Sequence, residues 1–294
     1  MVVTRLMGGL GNQMFQYAAG KSLAERLGVS LLLDRTFLDQ KPSDAGYTLR
    51  DFELDVFRVD AQFADPSLVK RMRKPLESSF TRRMKRVAPF LVSDYVFYEA
   101  EKKFMPAFNT LKDPVYLEGY WQNQKYFLSI AEELKKKYFV PAKEISGLNA
   151  ELLGEITKTN SASLHVRRGD YVTLESANKF HGVCSVDYYE RSAKLLAEEK
   201  GVKHFFIFSD EPDWVKENIR LPYSCTFISH NKGRESYWDL QLMRHCKHHI
   251  IANSSFSWWG AWLNENKEKA VIAPEKWFTG NSENEIIPEG WIIN

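Results

Sequence analysis

The chain has 294 residues, 44% hydrophobic and 27% charged, which is the composition of a folded protein of one large or two smaller domains and excludes a disordered chain. A net charge of +2 excludes a globally basic nucleic-acid binder, so any anion site must be local. The sequence holds no apolar run long enough to span a bilayer and no charged-then-apolar leader at its start, and Cys184, Cys225 and Cys246 are odd in number and far apart, a pattern that favours reduced thiols in a cytoplasmic protein over disulfides or zinc.

The chain opens as an α/β unit. VVTRLM is a short strand and GGLGN a glycine loop. In the following helix Phe15, Ala19, Leu23 and Leu27 recur every fourth residue up to Gly28, and VSLLLD is a buried strand ending at Asp34. YTLRDFELDVFRV alternates like a solvated edge strand. KRMRKPLESSFTRRMKRV carries eight basic residues between Lys70 and Arg86 against one acid, Glu77. Its plainest reading is a solvated helix pair broken at Pro75, and its functional reading is a face for an anionic membrane. VYLEGY is a strand and QKYFLSIAEELKKKYF a helix. Pro141 and Gly147 interrupt the pattern and mark a domain boundary near 141–150.

The second half is more regular. Helices at LNAELLGEITK, VDYYERSAKLLAEEKG, PDWVKENI, SYWDLQLMRHC and SFSWWGAWLNENK alternate with strands at SASLHV, KHFFIFSD, SCTFIS, HHIIAN and AVIAP. Such alternation predicts a parallel sheet covered on both faces.

In an open parallel sheet, ligands bind beyond the carboxyl ends of the strands. Three polar loops fall there: Arg167-Arg168-Gly169-Asp170, Ser209-Asp210-Glu211-Pro212, and Asn253-Ser254-Ser255-Phe256-Ser257. Guanidinium forks match phosphate oxygens, hydroxyls and free N–H groups at a helix start add donors, and a carboxylate accepts from a base or a ribose. Singly each loop has a plain structural role, Asp210 and Ser254 as helix caps and the arginines as surface ion pairs; together on one rim they suit a nucleotide. GGLGNQ lacks the third glycine of a dinucleotide fingerprint, since Met14 stands there, and lacks the Lys-Ser/Thr of a P-loop. It is a tight turn in which Gly8, Gly9 and Gly11 allow close backbone approach and Asn12 and Gln13 bring amides. HCKHH at 245–249 straddles a helix end and a strand start, so its side chains diverge and no metal is expected. Most tryptophans belong to the core, and Tyr120 and Trp121 are candidates to stack on a sugar.

GGLGNQMFQYA, GYWQNQKYF, HVRRGDYV, FHGVCSVDYY, FSDEPDW and NSSFSWWGAWL together resemble the motif series of bacterial α-1,2-fucosyltransferases of glycosyltransferase family 11, in family order and over nearly the whole chain. The resemblance implies a GT-B-like α/β fold of two Rossmann-like parallel-sheet domains facing across a cleft, residues 1–147 binding the acceptor and 148–294 binding GDP-fucose. It implies inverting, metal-independent transfer of fucose to O2 of a terminal β-galactoside during O-antigen or oligosaccharide synthesis, with no cofactor and no nucleic acid. The acceptor is a β-galactoside oligosaccharide or a lipid-linked glycan, and the basic 70–86 segment would associate peripherally with the cytoplasmic face of the inner membrane. By the same similarity Arg167 binds and stabilises the departing β-phosphate, with Arg168 beside it. His165 and Asp210 contact the guanosine, and Asn253, Ser254, Ser255 and Phe256 hold the pyrophosphate. Gly9, Gly11 and Asn12 sit against the sugar and phosphate. Asp170, Glu175 and His181 are candidates for the base that takes the acceptor proton, Asp170 first because its loop carries Arg167. The rival readings are another linkage such as α-1,6, and an inert glycan-binding protein of the same fold.

Overall fold

The computed structural model describes residues 1–40, 48–77, 95–169, 172, 182–279 and 285–294. These form two compact units, one carried by nearly all of the chain up to Ala142 and the other by Lys143–Asn294.

The first unit is built on four parallel strands, β1 (Val2–Arg5), β2 (Leu31–Asp34), β3 (Val96–Tyr98) and β4 (Val115–Glu118), in the order β2-β1-β4-β3. Helix α1 (Leu10–Leu27) connects β1 to β2 and ends at Gly28, whose φ of 65° is the left-handed conformation that glycine adopts without strain. Helix α2 (Pro66–Glu77) packs Val69 and Met72 against Val3, Val96 and Tyr116.

Four expectations for this unit are corrected. α1 starts at Leu10, so Gly11 and Asn12 belong to its first turn and not to the preceding loop. α2 runs through Pro75 to Glu77, because a proline in the last turn forfeits a single intrahelical bond and does not stop the helix. The 48–60 stretch is no strand; its one regular element is a 3-10 turn at Leu54–Val56. QKYFLSIAEELKKKYF is a chain of short helical pieces, two 3-10 turns and one α-turn followed by a π-turn at Leu134–Tyr138. β3 is an element that the sequence pattern did not bring out. Residues 78–86 of the basic segment lie outside the described residues.

The second unit holds six parallel strands, β5 (Ser161–Val166), β6 (His204–Ser209), β7 (Ser224–Ile228), β8 (His248–Ile250), β9 (Val271–Ala273) and β10 (Ile292–Ile293), in the order β10-β9-β8-β5-β6-β7. Its helices are α3 (Gly147–Lys158), α4 (Val186–Lys200), α5 (Pro212–Asn218), α6 (Tyr237–His245) and α7 (Ser255–Trp262). Burial explains the strands. β5 is buried at every position, as expected of a central parallel strand covered on both faces. Ala162, Leu164 and Val166 point to a core with Phe205, Ile207, Ile250 and Ile272, closed by Tyr189, Ala193 and Leu196 of α4 and Val215 of α5. By strand alternation, Ser163, His165 and His249 face the other way.

Chain direction matters for function. From β5 the chain moves outward through β6 and β7, then returns to the opposite side of β5 for β8, β9 and β10. The order therefore reverses between β5 and β8, which is where open α/β sheets leave a crevice at their carboxyl ends.

Candidate active site

The loops after β5, β6 and β8 emerge from adjacent strands, with β5 in the middle. Arg167 follows Val166 directly. Its Nη1 lies 2.9 Å from Asp210 Oδ2, and each side chain keeps 24% of its surface exposed. Asp210 Oδ1 accepts the Arg168 N–H at 3.1 Å, so one carboxylate ties the β5 and β6 loops together. Gly169 permits this closeness, because a Cβ there would stand 2.4 Å from Asp210 Oδ2. Burial raises the Asp210 pKa, and the Arg167 charge and the Arg168 N–H oppose that rise.

Arg168 is held by two neighbours. Its Nε donates to Glu211 Oε2 at 3.1 Å, and its guanidinium carbon stands 3.5 Å from the centre of the Trp214 ring. Glu211 enters the sequence reading only as a member of the Ser209–Pro212 loop and Trp214 has no site role there; the signal is present in FSDEPDW, an acid and an aromatic flanking a helix start, beside an arginine on the neighbouring loop.

His165 is the last polar residue of β5, 6% exposed, with its ring 5.8 Å from that of Phe256. Its Nδ1 is buried without a hydrogen-bond partner. Burial, reinforced by the positive charge of Arg167, pushes the imidazole down to about 3, so it is neutral at working pH. A neutral ring with one unmatched nitrogen suits hydrogen bonding to a ligand and does not suit proton storage.

Across the crevice, Ser254 precedes α7 in an extended conformation (φ −133°), and its hydroxyl makes no cap bond to the helix. No acid occupies the first turn of α7. The N–H groups of that turn therefore meet no side-chain cap from Ser254, and the positive end of the helix dipole opens toward the crevice. Ser255 and Phe256 are half-buried there. Asn253 is buried, and its Nδ2 donates to the carbonyls of Gly182 (3.3 Å) and Trp277 (3.4 Å) while its Oδ1 accepts from Cys184 Sγ.

The N-terminal motif forms its own rim in the first unit. Gly8 has a φ of +73°, and a Cβ on it would meet Asn12 Nδ2 at 2.5 Å. Asn12 Oδ1 accepts from Gln122 Nε2 at 2.8 Å, which joins GGLGN to GYWQNQ. The α1 N-terminus is already occupied: Glu53 Oε2 accepts the Leu10 N–H at 2.8 Å, and Gln13 Oε1 accepts the Glu53 N–H at 2.9 Å. Glu53 is thus a helix cap and not part of a solvated strand. Gly9 and Gly11 lie in the same turn, Gly11 buried. Trp121 is wholly buried against Phe97 and Tyr126, so it is removed as a sugar-stacking residue, whereas Tyr120 is 45% exposed.

His248 and His249 diverge, the former accepting the Ala270 N–H and the latter meeting Ser163 Oγ at 2.9 Å. Among the described residues no three His, Cys, Asp or Glu side chains cluster as metal ligands. Asp170, Glu175 and His181 lie outside the described residues. No helix among the described residues is long and apolar enough to cross a membrane.

Over residues 66–293 the sequence matches the family described as Glycosyl transferase family 11. It is 36% identical over 297 residues to an alpha-1,2-colitosyltransferase of Escherichia coli, covering 99% of this chain and 98% of that protein. It is 34% identical over 305 residues to the O-antigen biosynthesis glycosyltransferase WbnK of Escherichia coli, with 98% of each covered. Among solved structures it aligns with an Arabidopsis thaliana FUT1 mutant in complex with GDP at a TM-score of 0.48 and 15% identity, over 95% of this chain and 71% of that one.

Proposed function

The chain belongs to glycosyl transferase family 11, and from that premise we propose that it transfers a 6-deoxyhexose, L-fucose, from its GDP-β-linked donor to O2 of a terminal β-galactoside, with inversion to an α-1,2 linkage. The observation that carries this reading is the reversal of strand order between β5 and β8, which sets the Arg167 loop and the α7 N-terminus on neighbouring strand ends. A diphosphate is the ligand that uses both.

In the reaction the bond from C1 of the sugar to the β-phosphate oxygen breaks as the acceptor O2 bonds to C1 from the opposite face. Negative charge builds on the β-phosphate, and the acceptor hydroxyl loses its proton. Arg167 meets the developing phosphate charge with a fixed guanidinium, held in position by Asp210. The first-turn N–H groups of α7, with the Ser254 and Ser255 hydroxyls, supply further donors. His165, neutral and carrying an unmatched nitrogen, is available to the nucleoside together with Asp210. Arg168 supports the Asp210–Glu211 loop through Glu211 and Trp214. With cationic and N–H donors in place, the reaction needs no divalent metal. Asp170, three residues beyond Arg167, is the proposed acceptor of the proton. The second unit is the donor domain and the first the acceptor domain.

The relatives support O-antigen synthesis as the setting, and the free thiols Cys184, Cys225 and Cys246 support a cytoplasmic one, with the basic 70–86 segment meeting the membrane surface where lipid-linked acceptors reside. A second reading takes colitose as the donor sugar; it rests on the 36% identity to a colitosyltransferase. The two sugars differ by one hydroxyl, at C3. Purified protein is assayed for GDP release with GDP-fucose or GDP-colitose, with and without lactose, and the product linkage is read by NMR. Acceptor-dependent release from GDP-fucose with an α-1,2 product supports the reading. Release from GDP-colitose alone replaces fucose by colitose, and no release from either donor with any β-galactoside overturns both.

A further inference from the structure

The first unit has a switch point of its own, since the order β2-β1-β4-β3 reverses between β1 and β4. The loop leaving β4 there, Gly119-Tyr120-Trp121-Gln122, is held in an unfavourable shape. Trp121 has a φ of +56°, the one non-glycine residue in the left-handed region among the described residues, and for a bulky aromatic that is a genuine outlier. Two interactions impose it. Glu99 Oε2 accepts the N–H groups of Tyr120 (2.6 Å) and Trp121 (2.9 Å), and the Trp121 ring is locked in the core, 5.9 Å from Phe97 at an interplanar angle of 14° and 5.2 Å from Tyr126. Gly119 is required, because a Cβ there would lie 2.4 Å from the Cβ of Glu99.

Strain of this kind persists where the surroundings over-determine it, and it clusters at ligand clamps. Here it turns Tyr120 outward at the strand end, 45% exposed, and aims Gln122 at Asn12. Burial raises the Tyr120 phenol pKa while the nearby charges of Arg5 and Glu99 act in opposite senses. Tyr98, the last residue of β3 and in register with Glu118, is 43% exposed at the neighbouring strand end.

The charged groups of this rim are already engaged: the α1 N-terminus holds the Glu53 carboxylate, Glu118 is paired with both Arg5 and Arg73, and Glu99 is taken up by the N–H groups of Tyr120 and Trp121. What remains is an exposed aromatic residue and a pair of amides, the chemistry that binds a neutral polyhydroxyl ring. Galactopyranose offers the matching surface: its axial O4 leaves C3–H, C4–H and C5–H as one apolar face. Resting on the reading of the acceptor as a β-galactoside, we propose that Tyr120 is the platform on which the acceptor galactose stacks, with the Asn12–Gln122 amide pair as partner to its hydroxyls.

The test measures acceptor KM, kcat and donor Kd for wild type, Tyr120→Ala and Tyr120→Phe, each with a thermal melt. A parallel saturation-transfer NMR experiment uses methyl β-galactoside on wild-type protein with GDP. Loss of an aromatic anchor predicts about a tenfold rise in acceptor KM for Tyr120→Ala. Donor Kd and acceptor-independent release of GDP stay unchanged, Tyr120→Phe behaves as wild type, and the NMR signal is strongest at H3, H4 and H5. An acceptor KM within twofold of wild type in a folded Tyr120→Ala variant overturns the proposal, as does a shift confined to donor Kd. If Tyr120→Ala does not fold, the NMR pattern decides alone, and a signal spread evenly over the ring overturns it. Failure of wild type to turn over GDP-fucose with any β-galactoside instead removes the underlying functional reading. That outcome is distinguishable, because the NMR experiment needs no sugar donor; absence of methyl β-galactoside binding then overturns the stacking site too.

Discussion

Arg167→Ala removes a guanidinium at the end of β5 and leaves the strand itself untouched, since Arg167 follows the last strand residue, Val166. If the β-phosphate departs against this group, the loss resembles deletion of one preorganised donor, about 3 kcal/mol or roughly a hundredfold to a thousandfold in kcat. The structural cost is far smaller. The Arg167–Asp210 pair spans 2.9 Å with both side chains 24% exposed, and partly solvated pairs contribute on the order of 1 kcal/mol or less. Asp210 also keeps the Arg168 N–H at 3.1 Å. The melting temperature should therefore fall by only about 2 °C. Arg167→Lys keeps the charge, loses the planar fork, and should lie between the two. GDP release at saturating donor, followed beside a thermal melt, separates the effects. Near-normal turnover in Arg167→Ala refutes the leaving-group role, and so does a loss of activity that merely tracks unfolding.

Burial raises the Asp239 carboxyl to about 7, with the hydrogen bond from Asn231 opposing it. A carboxyl raised in the fold favours stability fully below its ordinary value and loses that contribution as pH climbs through about 7. Asp239→Asn should thus melt above wild type at pH 8 and converge with it near pH 4; parallel profiles contradict this. Glu53→Ala removes the acceptor of the Leu10 N–H and should cost about 1 kcal/mol of stability, read as a lower denaturation midpoint, while kcat stays near wild type. Turnover should survive prolonged treatment with a chelator if, as proposed, Arg167 and the α7 N-terminus take the place of a divalent ion; activity abolished by chelation and restored by one metal contradicts that proposal.

The second unit was legible in the sequence because most of its strands are short extended runs, each closed by a polar loop and followed by a helical pattern; the two-residue β10 at Ile292–Ile293 is too short to give such a signal. β5 alternates Ala162, Leu164 and Val166 with Ser161, Ser163 and His165, a strand pattern of period two, and all six positions are buried. The rim came from topology: once the strands are parallel, the loops leaving their carboxyl ends must share an edge. The first unit was less legible for physical reasons. Phe52, Leu54 and Val56 alternate like a strand, yet the segment is fixed by side-chain-to-backbone bonds, Glu53 to Leu10 and Gln13 to the carbonyl of Asp51, which periodicity does not report. Pro75 looked like a break and lies within the last turn of α2. Trp121 looked like a sugar platform, and a backbone conformation that no propensity favours buries it and turns Tyr120 outward in its place. The partners that hold Arg168, Glu211 and Trp214, are distant from it in sequence and meet it only through the sheet.

The most direct measurement is a crystal structure of the protein with GDP. The β-phosphate is expected within about 3 Å of the Arg167 guanidinium and of the first-turn N–H groups of α7, with no metal ion between them. A diphosphate lodged instead at the Gly8–Asn12 turn, or bridged to the protein by a divalent cation, would contradict it.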